Sequence, residues 1–341
     1  MIKEALKRWL ERQDVSEDEA CAVMGEIMRG EATPAQVGGV LVALRMKNET
    51  AAELAGMVCG MRTAMVTVNA GTPDAIDSCG TGGDGTHTFN ISTAAALVAA
   101  GAGATVAKHG NRSVSSLCGS ADVFEALGVN INPGREAVER LLREVKIAFL
   151  FAPAFHPAMK HAVGPRRELG VRTVFNLLGP LCNPAQVRRQ LVGVYSRAAQ
   201  DLMAGALARL DTRHALLVNS GDGLDEISLA GPTRALEVKQ GAVSELLIDP
   251  AAHGLARAEL ASLRGGDAAV NAQIITEILA GSGTAAQRDI VLLNAAAALL
   301  VADRAATIAD GLTLARQSIA SGAARGVLGQ LRALAPAPAQ A

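Results

Sequence analysis

At Ala75 the hydrophobic rhythm of this chain changes, and that change limits the folds open to it. Before it, residues 1 to about 66 read as wholly helical. Three helix starts carry a hydroxyl residue with Glu or Gln three positions on: Ser16 with Glu19, Thr33 with Gln36, and Thr50 with Glu53. That spacing is a capping box, and Pro34 stands at a first helical position. Val37, Val40, Leu41, Leu44 and Met46 follow a helical period between the caps. After Ala75, short apolar runs at 76–78, 105–107, 147–151, 191–195, 214–218 and 235–238 read as strands. Helical segments at 92–100, 121–127, 135–145, 197–210 and 289–301 alternate with them. Such alternation implies a mostly parallel sheet covered on both faces, with ligand loops at the carboxyl ends of strands.

A chain of 341 residues buries a sizeable core as one large domain or two smaller ones. With 2% aromatic residues, alanine, leucine and valine must build it. No apolar run of about 18 residues is free of polar interruption, so no membrane span is expected. Met1 to Trp9 reads as an amphipathic helix of mixed charge, not a secretion signal. The five cysteines are scattered, without C-x-x-C spacing, and support neither a disulfide framework nor a zinc site. A cytoplasmic location is the expectation that follows. A net charge of −1 gives no reason to expect nucleic-acid binding. The Ala- and Pro-rich tail, residues 335–341, is expected to be disordered.

The first strand opens into Cys79-Gly80-Thr81-Gly82-Gly83-Asp84-Gly85, then Thr86 to Thr93, before the next helix. Glycines in a strand-to-helix turn let backbone amides converge on an anion, and the helix N-terminus favours negative charge. Ser92 and Thr93 are placed to cap that helix or to turn their hydroxyls to a ligand. Gly80, Gly82 and Gly85 also spell G-x-G-x-x-G, the dinucleotide fingerprint. That fingerprint needs the helix to open at once and an acid about 20 residues on. Here the helix starts after Asn90, and the next strand ends in Lys108-His109. A phosphate or pyrophosphate ligand fits better.

Three further segments carry chemistry. Lys108 to Ser116 follows a strand and offers cations, hydroxyls and backbone amides to phosphate. Ser120 precedes the next helix as its N-cap. In the loop from Gly221, Asp225 and Glu226 repel each other, which a hard divalent cation bridging to substrate phosphates would offset. Between His156 and Pro184, several arginines suit a carboxylate or phosphate, and His156 is a candidate base. No serine–histidine–acid or cysteine–histidine grouping suggests covalent catalysis.

Taken in order, Gly80 to Asp84, Asn90 to Thr93, Lys108 to Ser113, Arg166 to Pro184 and Asp225-Glu226 resemble the anthranilate phosphoribosyltransferases. The resemblance spans nearly the whole chain. It implies a small N-terminal helical domain and a large α/β domain with a mostly parallel central sheet, of the nucleoside phosphorylase/phosphoribosyltransferase type. The division expected is 1–70 helical, joined by helices from about 163–190, then 71–334 α/β. It also implies a homodimer through the helical domain.

The activity implied is transfer of a 5-phosphoribosyl group from phosphoribosyl pyrophosphate to the amine of anthranilate, with Mg²⁺. By the same resemblance, Gly80, Gly83, Asp84 and Thr88 hold the pyrophosphate, and Asn90, Ile91, Ser92 and Thr93 continue that site. Lys108, Asn111, Arg112, Ser113, Ser115, Ser116 and Ser120 contact phosphates and ribose. Gly80, Asn111 and Arg166 hold anthranilate, Ser92, Asp225 and Glu226 bind the metal, and Lys108 and Asp84 are the catalytic candidates. A pyrimidine nucleoside phosphorylase shares the architecture and is the runner-up. It needs no paired metal carboxylates, because its anionic ligand is orthophosphate.

Overall fold

The computed structural model describes residues 1–113 and 117–337. Its sheet has seven strands in the order β3-β2-β1-β4-β5-β6-β7. These are β1 (Ile76–Gly80), β2 (Val106–Gly110), β3 (Ile147–Phe151), β4 (Arg189–Gly193), β5 (His214–Ser220), β6 (Thr233–Lys239) and β7 (Ala242–Ile248). The first five are parallel, and β6 and β7 add antiparallel at one edge. From β1 the chain builds outward through β2 and β3, then returns so that β4 pairs with the other side of β1. Strand order therefore reverses between β1 and β4, the place where open α/β sheets leave a crevice for ligands.

The parallel strands are almost wholly buried, as their continuous apolar sequence requires. Helix Ile91–Gly101, rich in alanine, is enclosed by helices Ala285–Val301 and Ala323–Leu334. Strand β7 is the exception that the sequence patterning overlooks. It is mostly exposed, joined to β6 by Gln240-Gly241 with φ of 51° and 81°. Two positive φ values in a two-residue hairpin turn suit the right-handed strand twist.

All three N-terminal capping boxes form, at Ser16, Thr33 and Thr50. The helical segment has its own core, which includes Trp9, Met24, Leu41 and Leu54. That core also takes in Ala162, Phe175 and Leu178 from helices Lys160–Leu169 and Phe175–Leu181, and Val192 and Leu217 from the sheet. At its centre Glu53 is fully buried. It accepts hydrogen bonds from Trp9 Nε1 (2.8 Å), Val15 N–H (3.1 Å) and Lys47 Nζ (2.8 Å). A buried carboxylate persists only when its lone pairs are met in this way.

The expected disorder of the tail needs correction at residues 335–337. Ala335 is buried, its carbonyl accepts from Asn130 N–H (2.8 Å), and Ala337 N–H donates to the Gly128 carbonyl (3.1 Å). A strand-like bridge between Val129 and Pro336 holds this segment on the α/β domain. Residues 338–341 lie outside the described residues.

Candidate active site

Register pairs Gly80 with Gly193 at the carboxyl ends of β1 and β4. Both are glycine because of Asp225. A Cβ on Gly80 would lie 2.9 Å from Asp225 Oδ2, and one on Gly193 only 1.7 Å from the Asp225 carbonyl oxygen. The turn beyond β1 bends through Gly82, Gly83 and Gly85, all with φ between 64° and 77°, where only glycine is unstrained. It then meets the acidic pair. Gly82 N–H donates to Asp225 Oδ2 at 3.1 Å, and Ser92 N–H donates to Glu226 Oε1 at 3.0 Å. The glycine turn and the acids thus open onto one crevice.

Helix Ile91–Gly101 begins two residues earlier than a Ser92 cap requires and three earlier than a Thr93 cap does. Asn90 is its N-cap, and the Asn90 side chain makes no capping hydrogen bond. Ser92 and Thr93 instead sit in the first turn, where the Ser92 N–H donates to Glu226 and the Thr93 N–H to the Asn90 carbonyl (3.2 Å). Ile91 and Thr93 are buried. Ser120 is likewise inside its helix, Ser120–Ala126, with Gly119 as N-cap.

Electrostatics marks the crevice as unusual. Burial pushes the Asp225 carboxyl up to about 7, with Asp84 adding like-charge repulsion. Burial likewise raises Glu226 to about 8, and Asp225 adds to it. Neighbouring acids that resist ionisation titrate as a unit. Asp84 is braced by Thr86, whose Oγ1 donates at 2.6 Å and whose N–H donates at 3.2 Å. Lys108 is 1% exposed, and its ammonium donates to the Ser78 carbonyl. Burial lowers its pKa, opposed by Asp77, Cys79, Glu226 and Asp225. It therefore neutralises the buried acids rather than standing out in the crevice.

The adjacent oxygen donors Asp225 and Glu226 suit a hard cation that keeps water and takes phosphate oxygens as its remaining ligands. Among the described residues no group of three or more His, Cys, Asp or Glu is placed to hold a metal ion by itself. That pattern agrees with Mg²⁺ held by carboxylates and substrate rather than by a zinc-like site.

The loop after β2 differs from its expected role. Arg112 donates to Asp122 Oδ1 (2.8 Å) and Glu125 Oε1 (2.9 Å), which hold its charge on the helix beginning at Ser120. Asp122 also accepts from Gly119 N–H (2.8 Å) and Ser113 N–H (3.2 Å). Asn111 Oδ1 accepts from Arg112 N–H (2.8 Å), and the Asn111 carbonyl accepts from Ser120 Oγ (3.4 Å). Ser115 and Ser116 lie outside the described residues. Thr88 bridges to Arg264, which ties the glycine turn to a loop near residue 265.

Arg166, on helix Lys160–Leu169, has its guanidinium 4.9 Å from the Phe175 ring centre. Burial lowers its pKa, and among the described residues no carboxylate pairs with it. A partly desolvated guanidinium without an acid suits a carboxylate ligand. His109 and His156 stand with ring centres 5.1 Å apart. Burial lowers them to about 3 and about 4, so both are neutral at pH 7. Neither Nε2 has a hydrogen-bond partner among the described residues.

Sequence reasoning missed three supports. Asp77 accepts from His109 N–H (3.1 Å) and Asn183 Nδ2 (2.7 Å), locking β1 to β2 behind the crevice. An acid inside an apolar strand was the available signal. Asn271, 2% exposed, accepts from Gly266 N–H (2.8 Å) and donates to Asn90 Oδ1 (3.0 Å). Arg172 donates to the Gly83 carbonyl and stacks 4.2 Å over Tyr195.

A parallel sheet with a strand-to-helix anion turn, facing acids and covered by a helical lobe, is the architecture of a glycosyl transferase. Residues 3–65 match the glycosyl transferase family, helical bundle domain, and residues 72–325 match its a/b domain. The chain is 54% identical over 334 residues to anthranilate phosphoribosyltransferase of Chloroflexus aurantiacus, covering 98% of both. It is also 54% identical over 339 residues to that of Anaeromyxobacter dehalogenans, covering 99% of this chain and 100% of the relative. The crystal structure of anthranilate phosphoribosyltransferase from Thermus thermophilus superposes with TM-score 0.92 at 42% identity, covering 97% and 98% of the two chains. The Saccharomyces cerevisiae enzyme in complex with PRPP and Mg superposes with TM-score 0.89 at 28% identity, covering 98% and 97%. The chain belongs to the anthranilate phosphoribosyltransferase family.

Proposed function

We propose that this chain transfers the 5-phosphoribosyl group of phosphoribosyl pyrophosphate to the amine of anthranilate, releasing pyrophosphate, the second step from chorismate to tryptophan. The observation that carries this reading is the meeting of the glycine turn with the acidic pair, through Gly82–Asp225 and Ser92–Glu226.

Loss of pyrophosphate leaves an oxocarbenium-like carbon, so catalysis consists mainly of positioning and charge stabilisation. The glycine turn at Gly80 to Gly83 and the N-terminus of helix Ile91–Gly101 would receive the diphosphate, whose oxygens would compete with Asp225 and Glu226 for the N–H groups of Gly82 and Ser92. Mg²⁺, held by Asp225, Glu226 and Ser92, would offset the charge that gathers on the leaving group. Lys108 partly opposes the rise of the Glu226 carboxyl, and Asp84 adds a third carboxylate beside Asp225; a bound cation would supply the rest of the charge that favours their ionised forms. Asn111 and Arg166 receive the acceptor, with Arg166 pairing its carboxylate. The aromatic amine is neutral and nucleophilic at pH 7, so no strong base is required. His109 and His156, lowered by burial to about 3 and about 4, are correspondingly weak bases.

Depletion of anthranilate fluorescence on incubation with phosphoribosyl pyrophosphate and Mg²⁺ tests the proposal. The pyrimidine nucleoside phosphorylase reading is not favoured by relatives at 54% identity over nearly the full length. Metal-independent phosphorolysis of thymidine or uridine would revive it.

The division into a helical unit (1–70 with helices from 163–190) and an α/β unit is part of this reading. So are a cytoplasmic location and a homodimer through the helical unit. Leu10, Val42, Met46 and Val163 support the dimer. They leave apolar side chains exposed on helices Ile2–Leu10, Pro34–Lys47 and Lys160–Leu169, each of which packs on the next. Light scattering at assay concentration should report twice the chain mass.

A further inference from the structure

Helices Glu17–Met28 and Ala51–Arg62 cross at two glycines. A Cβ on Gly56 would lie 2.1 Å from the Glu17 carbonyl oxygen, and one on Gly60 2.4 Å from that of Cys21. Glycines four residues apart share one helix face, so the backbones approach unusually closely along it. That approach brings Cys59 Sγ to 2.6 Å from Cys21 Sγ. Both cysteines are free thiols, Cys59 exposed and Cys21 half-buried. Neither belongs to the crevice at β1 and β4.

We propose that Cys21 and Cys59 form a two-thiol oxidation site that takes a hydroperoxide and yields an intramolecular disulfide between the two helices. Cys59 is the attacking sulfur, because it is the one open to solvent. Its thiolate displaces hydroxide from hydrogen peroxide: an S–O bond forms, the O–O bond breaks, and the hydroxide leaves as water. Cys21 sulfur then attacks the Cys59 sulfenic acid. The S–S bond forms, the S–OH bond breaks, and a second water leaves with the Cys21 proton. Two thiols lose two electrons and the peroxide gains them. Burial and the neighbouring sulfur raise Cys21 to about 12, which suits a resolving rather than an attacking thiol. An isolated sulfenic acid proceeds to sulfinic acid, whereas an adjacent thiol diverts it to a reducible disulfide. The remaining cysteines, Cys79, Cys118 and Cys182, are half-buried or buried and act as internal controls.

The experiment treats the reduced, full-length protein with hydrogen peroxide, alkylates the remaining thiols and maps peptides without reduction. Two of the five thiols should disappear and return with dithiothreitol. One cross-linked peptide pair should join Cys21 to Cys59, and the oxidised protein should melt at higher temperature. Cys21→Ser and Cys59→Ser should each abolish the cross-link; Cys21→Ser should leave Cys59 over-oxidised. Five alkylatable thiols after treatment would overturn the proposal. So would sulfinic acid on Cys59 beside an intact Cys21 thiol, or a cross-link between two chains through Cys59.

Discussion

The carbonyl oxygen of Asp225 fills the space that a Cβ on Gly193 would need, 1.7 Å from its ideal position. The end of β4 is therefore shaped around the acidic pair, and the sheet and the site are fitted to one another. Gly193→Ala should force the 225–226 segment away from the glycine turn. The expected result is at least a hundredfold loss of turnover, in line with misplacement by about 1 Å. Overpacking of this kind costs about 1–3 kcal/mol of stability. Near-normal turnover in the fluorescence assay would show that the acids need not sit where they do.

Asp225→Asn and Glu226→Gln should separate function from stability. Each carboxyl is raised, to about 7 and about 8, so its ionised form is disfavoured in the folded chain. Neutral amides of the same shape should leave the melting temperature at pH 8 unchanged or higher, a trade-off common at active sites. Turnover should fall steeply at every Mg²⁺ concentration. Wild-type activity with either variant across the titration contradicts the metal assignment.

Arg166→Ala should raise the Michaelis constant for anthranilate by about tenfold or more, the loss of one charge-assisted contact. The constant for phosphoribosyl pyrophosphate should move much less. A larger change for the ribosyl donor would place Arg166 on the wrong substrate.

Acid should destabilise the fold through its buried histidines. His109 and His156 are lowered to about 3 and about 4 in the folded state, against about 6.5 unfolded. The unfolded chain thus binds more protons, so stability is lost as pH falls below the unfolded value. At pH 5 each histidine accounts for about 2 kcal/mol of that loss. Urea midpoints at pH 7 and pH 5 should differ less for His156→Asn than for the parent chain. Equal acid sensitivity would mean that His156 is already charged or exposed when folded.

Asn271→Ala should release both the loop at Gly266 and the side chain of Asn90. Donor affinity should weaken, while the anthranilate constant holds. If the two constants rise together, Asn271 supports the fold at large rather than the donor side.

Much of this was legible in the chain. Capping boxes, strand alternation and the glycine turn are local signals, and local physics decides them. The pairing of Gly82 with Asp225 was inferable only because both segments follow parallel strands, since 143 residues separate them. What escaped notice depends on tertiary contact. Arg112 reads as a phosphate ligand until its helix supplies Asp122 and Glu125. Ser92 and Ser120 read as caps, yet Asn90 and Gly119 take those places, one residue before each helix starts. Asn271 carries no motif at all; its importance comes from a helix arriving beside Asn90 from 181 residues away. Strand β7 fails the alternation test because most of both its faces meets solvent.

Trp9, held by Glu53 within the helical bundle, is the only tryptophan in the chain. Its indole emission is consequently a private optical channel for that bundle, silent about the sheet. Paired with far-ultraviolet dichroism, which weighs every helix alike, it would reveal whether the two halves melt as one cooperative unit or in succession.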